Sequence, residues 1–247
     1  DEIVPRAAAA CEVFMVCDAA PNPLLAARGL ILDRGGVPVL REVDLDLFAG
    51  EVCALIGSNG AGKTTLCRTL CGFEPRARGT VTIGDAAATR KKRTRVSSMV
   101  FQDVNYQLFA ENVAAEVTFG LPRRRAGAVD TDTILRELAL GDVADRHPAT
   151  LSGGQKQRLA VAACVAADKR ILVFDEPTSG IDLDGMHRVA RLLRRLAGQG
   201  RAVLVITHDL ELIARACDRV LHMDGGRVTE QARVADEFDA IREMMGS

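Results

Sequence analysis

The chain has 247 residues, 48% of them hydrophobic, with 32 Lys and Arg against 33 Asp and Glu and a formal net charge of −1. That length suits one large domain or a core with a subdomain, and the balanced charge gives no global electrostatic case for nucleic acid. No apolar run approaches the roughly 18 residues that a membrane span needs, so any membrane role has to come through a partner.

In chain order, residues 1–23 read as a linker, or as the tail of something upstream, with Pro21-Asn22-Pro23 as the boundary. The acidic Asp1-Glu2 start does not suit a signal peptide. Residues 28–32 and 39–48 are predicted strands around the turn Arg34-Gly35-Gly36. The apolar run Val52-Cys53-Ala54-Leu55-Ile56 is a predicted buried strand. It leads into Gly57-Ser58-Asn59-Gly60-Ala61-Gly62-Lys63-Thr64, which fits G-x-x-x-x-G-K-[ST], the phosphate-binding loop. A helix is expected over 65–71. Glycines let the backbone wrap closely around phosphate oxygens, and the helix N-terminus points its N–H groups at the anion. Lys63 is placed to reach the β- and γ-phosphates, the Thr64 hydroxyl to ligate Mg²⁺, and Thr65 joins the nucleotide-binding set.

Residues 79–84 form another predicted strand, and the basic run Arg90-Lys91-Lys92-Arg93-Thr94-Arg95 reads as a solvated connection between edge strands. Ser98-Met99-Val100-Phe101 is a strand that delivers Gln102 at its end. Helices are expected over 111–119 and 132–140, separated by Pro122 and a basic turn, Arg123-Arg124-Arg125. Leu151-Ser152-Gly153-Gly154-Gln155 opens a helix over 156–167. Ile171-Leu172-Val173-Phe174 suits a strand buried on both faces of a parallel sheet, ending in Asp175-Glu176. Asp175 is the candidate Mg²⁺ carboxylate, and Glu176 is placed to polarise a water for attack on the γ-phosphate. Then follow a helix (183–197), a buried strand (202–206), a helix (209–216), a hairpin around Asp224-Gly225-Gly226 and a terminal amphipathic helix over 234–245. Seven scattered cysteines, with no C-x-x-C pair, read as reduced buried thiols of a cytosolic protein.

Leu151-Ser152-Gly153-Gly154-Gln155-Lys156-Gln157-Arg158 is the most specific string. With it, the chain from about residue 30 to 230 resembles the ATP-binding cassette (ABC) ATPases, every motif in order. The resemblance implies an α/β, RecA-like P-loop NTPase fold. Its sheet would be mostly parallel, with an N-terminal antiparallel β subdomain and an inserted helical signature subdomain at about 105–165. The cassette would span 24–230, and 231–247 would be a C-terminal helix. The resemblance also implies roles. Ser152, Gly153, Gly154 and Gln155 would contact ATP held by an opposite subunit, Gln102 would sense Mg²⁺ and the attacking water, and His208 would contact the γ-phosphate. Ser179-Gly180-Ile181-Asp182 resembles the D-loop, which places Asp182 at the contact with a second cassette. One departure is that Asp33 and Arg34 stand where the family has an aromatic residue stacked on adenine; Arg34 could stack its guanidinium there instead.

A finer resemblance lies in Phe101-Gln102-Asp103-Val104-Asn105-Tyr106-Gln107-Leu108-Phe109-Ala110-Glu111, which is similar to the energy-coupling-factor (ECF) branch of importers. With His147-Pro148 before the signature, it looks most like the second ATPase half of a tandem ECF protein. The implied partners are a second cassette, as homo- or heterodimer or in the same natural chain, a transmembrane T component, and a substrate-binding membrane S component, with no nucleic acid. The implied place is the cytoplasmic face of the cell membrane, and the implied role is uptake of a vitamin or metal ion powered by MgATP. Leu108 and Phe109 would anchor a coupling helix of the T component, with Glu111 and Glu116 available to its basic residues. The competing reading is a soluble ABC ATPase working on DNA or ribosomes. Against it, the sequence has no heptad tract, no zinc spacing and no basic excess. Glu176 and His208 are both present, which speaks against a non-hydrolysing scaffold.

Overall fold

The computed structural model describes residues 22–246. Residues 1–21 of the predicted linker over 1–23, with Cys11 and Cys17, lie outside them. In chain order the elements are β1 (Leu25–Arg34), β2 (Val37–Leu47), β3 (Val52–Ile56), α1 (Lys63–Leu70), β4 (Arg78–Ile83), β5 (Ala86–Ala87), α2 (Arg90–Val96) and β6 (Ser97–Val100). The second half carries α3 (Val113–Thr118), α4 (Arg123–Ala126), α5 (Thr131–Glu137), α6 (Gly153–Ala166), β7 (Ile171–Asp175), α7 (Leu183–Gly198), β8 (Ala202–Ile206), α8 (Leu210–Ala216), β9 (Arg219–Asp224), β10 (Arg227–Arg233) and α9 (Phe238–Gly246).

The strands form two sheets. One is four-stranded and antiparallel, in the order β2-β1-β4-β5. The other is six-stranded, in the order β10-β9-β3-β8-β7-β6, parallel except for the β9–β10 hairpin. Along β2, Leu40, Val43, Leu45 and Leu47 are buried while Arg41, Glu42 and Asp44 face outward, as a sheet with one wet face requires. By contrast β3, β7 and β8 are buried along their whole length. Successive side chains on a strand point to opposite faces, and here the alternation divides two cores. Ala54, Leu172, Phe174, Val203 and Val205 pack with α6, α7 and α8. Cys53, Leu55, Val173, Leu204 and Ile206 pack with α1 and the antiparallel sheet. The mostly parallel sheet, the antiparallel β subdomain and the helical insert are therefore present as predicted.

Cys53, Cys67, Cys71, Cys164 and Cys217 are buried free thiols. Burial pushes Cys53 and Cys71 up to about 12 and Cys164 to about 11, so these thiols stay protonated and inert.

Three local expectations change. Residues 90–96 join the edge strands β5 and β6 with most of the basic run exposed, as expected, but as the helix α2, capped by the Thr89 side chain, which accepts from Lys92 N–H. Arg93 turns inward: it is 8% exposed and its Nη1 donates to Thr69 O at 2.6 Å, near the C-terminal end of α1. The basic run at 123–125 is a single helical turn, α4, rather than a turn between helices. The terminal helix starts at Phe238 and not at residue 234, because Val234 N–H donates to Asp218 O and the Glu237 carboxylate accepts from Arg233 N–H.

Arg93→Ala removes one of two donors to the Thr69 carbonyl, which Gly72 N–H still meets at 3.0 Å, and should lower the unfolding free energy by about 1 kcal/mol, the size of one lost hydrogen bond. Its exposed neighbour Lys91 serves as the control; Lys91→Ala should change it by no more than about 0.5 kcal/mol. Urea unfolding of the two variants checks the pair.

Candidate active site

Strand β3 ends at Ile56 and the chain turns through residues 57–62 before α1 begins at Lys63. The glycines here are structural requirements. Gly57 has φ of +136°, and a Cβ on it would lie 2.0 Å from Met223 O. A Cβ on Gly62, at φ +106°, would lie 2.9 Å from Val39 O. Gly62 also caps α1 without any side-chain hydrogen bond, so no capping side chain competes for the first N–H groups of that helix. Uncapped N–H groups at a helix N-terminus are a site for an anion.

Lys63 is 8% exposed and its Nζ donates to Gly57 O at 2.5 Å and Ser58 O at 2.9 Å. Burial lowers its pKa, opposed by the charges of Glu176 and Asp175. The next residue, Thr64, donates its hydroxyl to Asp175 Oδ2 at 2.8 Å, across 111 residues of chain. Asp175 is 1% exposed, and burial raises its pKa against the Thr64 hydrogen bond and Lys63. This pair of hard oxygens, beside a Gly-lined loop and a buried ammonium, is the donor set a Mg²⁺–triphosphate needs, so the residues fit MgATP.

Glu176 follows Asp175 with φ of +52°, in the left-handed region rarely adopted by such a side chain. Its N–H donates to Ile206 O at 3.0 Å and its carbonyl accepts from Gln157 Nε2 at 3.1 Å, which together hold that conformation. Burial, and then the Asp175 carboxylate, raise the pKa of Glu176. His208, just past β8, brings Nε2 to 3.5 Å from Glu176 Oε1. Burial, and then Lys63, lower the pKa of the imidazole. Lys63, Thr64, Asp175, Glu176 and His208 thus meet at the C-terminal edge of the parallel strands. A carboxylate kept free of strong cation pairing beside a phosphate cradle can accept a proton from water.

The remaining predicted residues are distributed around this cluster. Gln102 is exposed just past β6. Ser152 and Gln155 form a capping box on α6: Gln155 N–H donates to Ser152 Oγ, and Ser152 N–H to Gln155 Oε1. Gly153 has open space where a Cβ would be, whereas a Cβ on Gly154 would come within 3.1 Å of Gly180 O. Asp182 caps α7 through Gly185 N–H. Leu108 is partly buried against the core, while Phe109 is 65% exposed and packs its ring 6.1 Å from that of Phe119.

One expectation fails on a side-chain contact. Glu116 is not available to a basic partner; it is 2% exposed and its Oε2 accepts from Phe109 N–H and Ala110 N–H at 2.7 and 2.6 Å. It holds up the very loop that presents Phe109. Arg34 Nη2 lies 2.7 Å from Glu74 Oε1, which Arg68 also holds; this ion pair is made at the edge of an exposed guanidinium and leaves its face open. Gln157 and Gln107 carry site geometry that sequence reasoning missed. Gln157 stands next to Lys156 in the signature string, and only its place on α6 shows that it faces Glu176.

The family model described as "ABC transporter" matches residues 40–179. A putative ABC transporter ATP-binding protein of Treponema denticola is 45% identical over 206 residues, 83% of this chain and 42% of that protein. The chain spans about two fifths of the length of the first curated relatives it matches. An energy-coupling factor transporter ATP-binding protein of Mycoplasma pneumoniae is 31% identical over 224 residues, 88% of this chain and 81% of that one. Methionine import ATP-binding proteins are further relatives. Among solved structures, cbiO1 of Clostridium perfringens, part of the ABC transporter complex cbiONQ, superposes with a TM-score of 0.75 at 29% identity, covering 90% of this chain and 94% of that one.

The two glycines with opposite surroundings give a test of the loop. Gly57→Ala should lower the melting temperature and abolish the stabilisation that ATP confers, because its Cβ collides with the main chain at Met223. Gly153→Ala, in open space on a helix, should leave the melting temperature equal or slightly higher. Thermal melts with and without nucleotide check both.

Proposed function

The chain belongs to the ATP-binding cassettes of ABC transporters, and we propose that it is the ATP-hydrolysing cassette of an ECF-type importer. The observation that carries the ATPase reading is the meeting of Lys63, Thr64, Asp175, Glu176 and His208 at one sheet edge. In this reading the loop 57–62 and the N-terminus of α1 hold the phosphates, and Lys63 leaves its carbonyl partners for the β- and γ-oxygens. Thr64, Asp175 and Gln102 would hold Mg²⁺, which supplies charge neutralisation as the γ-phosphoryl group departs. Glu176 orients the attacking water in line and takes its proton, and His208, kept neutral by its surroundings, donates towards the γ-phosphate. Ser152, Gly153, Gly154 and Gln155 serve the nucleotide of a second cassette, with Asp182 at the contact between the two.

The transport reading adds a T component, an S component and a peripheral place on the cytoplasmic face of the membrane. It is supported by the Mycoplasma relative, by the likeness to cbiO1, and by the exposed Phe109–Phe119 pair, whose Phe109 lies in the segment that follows Gln102. No helix among the described residues is long and apolar enough to cross a membrane, which suits attachment through membrane subunits. In this proposal the second cassette is a separate subunit or part of the same natural chain; the first relatives are more than twice as long as the segment that matches. The solute would be a vitamin or metal ion. The methionine import relatives favour an amino acid as the second reading, and the membrane subunits that co-purify with the chain decide between the two.

Glu176→Gln should bind MgATP as wild type does and hydrolyse it about 10²–10⁴-fold more slowly. A base works only when ionised, and the Glu176 pKa is raised, so the wild-type rate should fall with decreasing pH while still above the ordinary glutamate value of about 4.3. Single-turnover rates across pH measure both. Phe109→Ala should leave the melting temperature and basal hydrolysis nearly unchanged. Retention of the T component should weaken by on the order of 2 kcal/mol, as for an aromatic anchor. Pull-down of the membrane partner, run beside thermal melts, reads this out.

A further inference from the structure

Gln107 lies five residues beyond Gln102, in a stretch whose function would be assigned to its neighbours Leu108 and Phe109. Its side-chain amide uses both of its ends on the main chain of β6 and of the residue just past it, Phe101. Oε1 accepts from Phe101 N–H at 2.7 Å and Nε2 donates to Met99 O at 2.9 Å. Strand β6 is the last in its sheet and is paired on one side only, with β7. An edge strand presents alternate N–H and C=O groups with no neighbouring strand to meet them. The Gln107 amide meets two such groups and so acts as a one-residue strand, placed immediately before Gln102.

The rest of the loop is tied as well. Val104 is 6% exposed and belongs to the helical core. The Asp103 carboxylate accepts from Asn105 N–H at 3.0 Å, which closes the turn. Asn105 Oδ1 accepts from Lys156 Nζ at 3.1 Å, and Lys156 stands on α6 beside Gln157, which holds the Glu176 carbonyl. Gln102 is exposed within this frame. Its main chain is set from one side by the Gln107 brace on Phe101 and from the other by the buried Val104.

We propose that Gln107 is a positioning residue for hydrolysis: its two hydrogen bonds, to β6 and to Phe101, fix the main chain that presents Gln102 to the metal and the attacking water. The proposal rests on the reading of this chain as an ATPase that uses Gln102. The apolar variant Gln107→Met keeps the length and packing of the side chain and removes both bonds. Gln107→Glu keeps an oxygen for Phe101 N–H but sets a second oxygen against Met99 O.

The experiment measures amide hydrogen exchange over residues 99–107, ATP affinity, single-turnover hydrolysis and melting temperature. It uses wild type, both Gln107 variants, Gln102→Ala and the double variant Gln102→Ala/Gln107→Met. Exchange at Phe101 should quicken in Gln107→Met. Hydrolysis should slow about tenfold, the size that loss of two neutral hydrogen bonds allows, with ATP affinity retained. In the Gln102→Ala background the second substitution should add nothing, since there is then no Gln102 side chain to place. Unchanged exchange at Phe101 would overturn the brace regardless of activity. Faster exchange with undiminished hydrolysis, or an equal loss in the Gln102→Ala background, would overturn the positioning role. If Gln107→Met fails to fold, Gln107→Glu carries the same comparison with a smaller loss. A wild-type chain that binds but never hydrolyses MgATP would refute the ATPase reading and this inference with it, and that failure shows in the wild type rather than in the variant.

Discussion

The hydrogen bond from Thr64 to Asp175 joins residues 111 positions apart, and the site depends on it. It forms because β3 and β7 both flank β8 in a parallel sheet whose register is fixed from end to end. Leu55 pairs with Ile206, and Asp175 pairs with the same Ile206 from the other side. The three strands therefore finish at one level. The loop after β3, the acids ending β7 and the histidine after β8 emerge together, as ligand sites do at the carboxyl edge of open α/β sheets. Burial on both faces enforces that register. A slip of one residue would exchange Ala54 and Val205 for Cys53 and Leu204 between the two cores.

The same burial sets the electrostatics. Lys63, Asp175 and Glu176 are all taken partly out of water, and desolvation is the largest cause of the pKa shift of each. The ammonium and the two carboxylates offset one another in part, so the cluster holds charge of both signs without a direct Lys–carboxylate hydrogen bond dominating it. Lys63 instead rests on two loop carbonyls. Main-chain carbonyls are weaker partners than a carboxylate, so moving the ammonium to a phosphate oxygen costs less than breaking an ion pair would.

Local patterns made most of the architecture readable. The apolar five-residue strands, the Gly-rich loop, the Ser152 cap and the hairpin glycines each state their structure within a few residues. Two of the failures have one cause, a side chain whose partner lies outside its own local pattern. Arg93 looked solvated among its basic neighbours, yet its partner is the Thr69 carbonyl 24 residues earlier. Glu116 looked like a surface charge on a short helix, and nothing in its own turn of α3 shows that two main-chain N–H groups before that helix converge on it. Charge and periodicity describe what a residue can do; they do not tell which backbone will come to meet it.

The two helix N-termini of the site differ in a way that bears on how a shared nucleotide would be held. At α1 the cap is Gly62 and no side chain competes for the terminal N–H groups. At α6 the Ser152–Gln155 box already satisfies Gln155 N–H and Ser152 N–H from within the chain. A serine hydroxyl has one proton to give and two lone pairs to offer, and the box uses it only as an acceptor. The Ser152 proton is therefore left to donate outward, oriented by the cap. The first terminus suits tight, many-pointed phosphate binding within one chain. The second presents a fixed hydroxyl on a helix end that needs no ligand to stay folded, which is what a surface must do if it meets its nucleotide only when a second cassette closes on it.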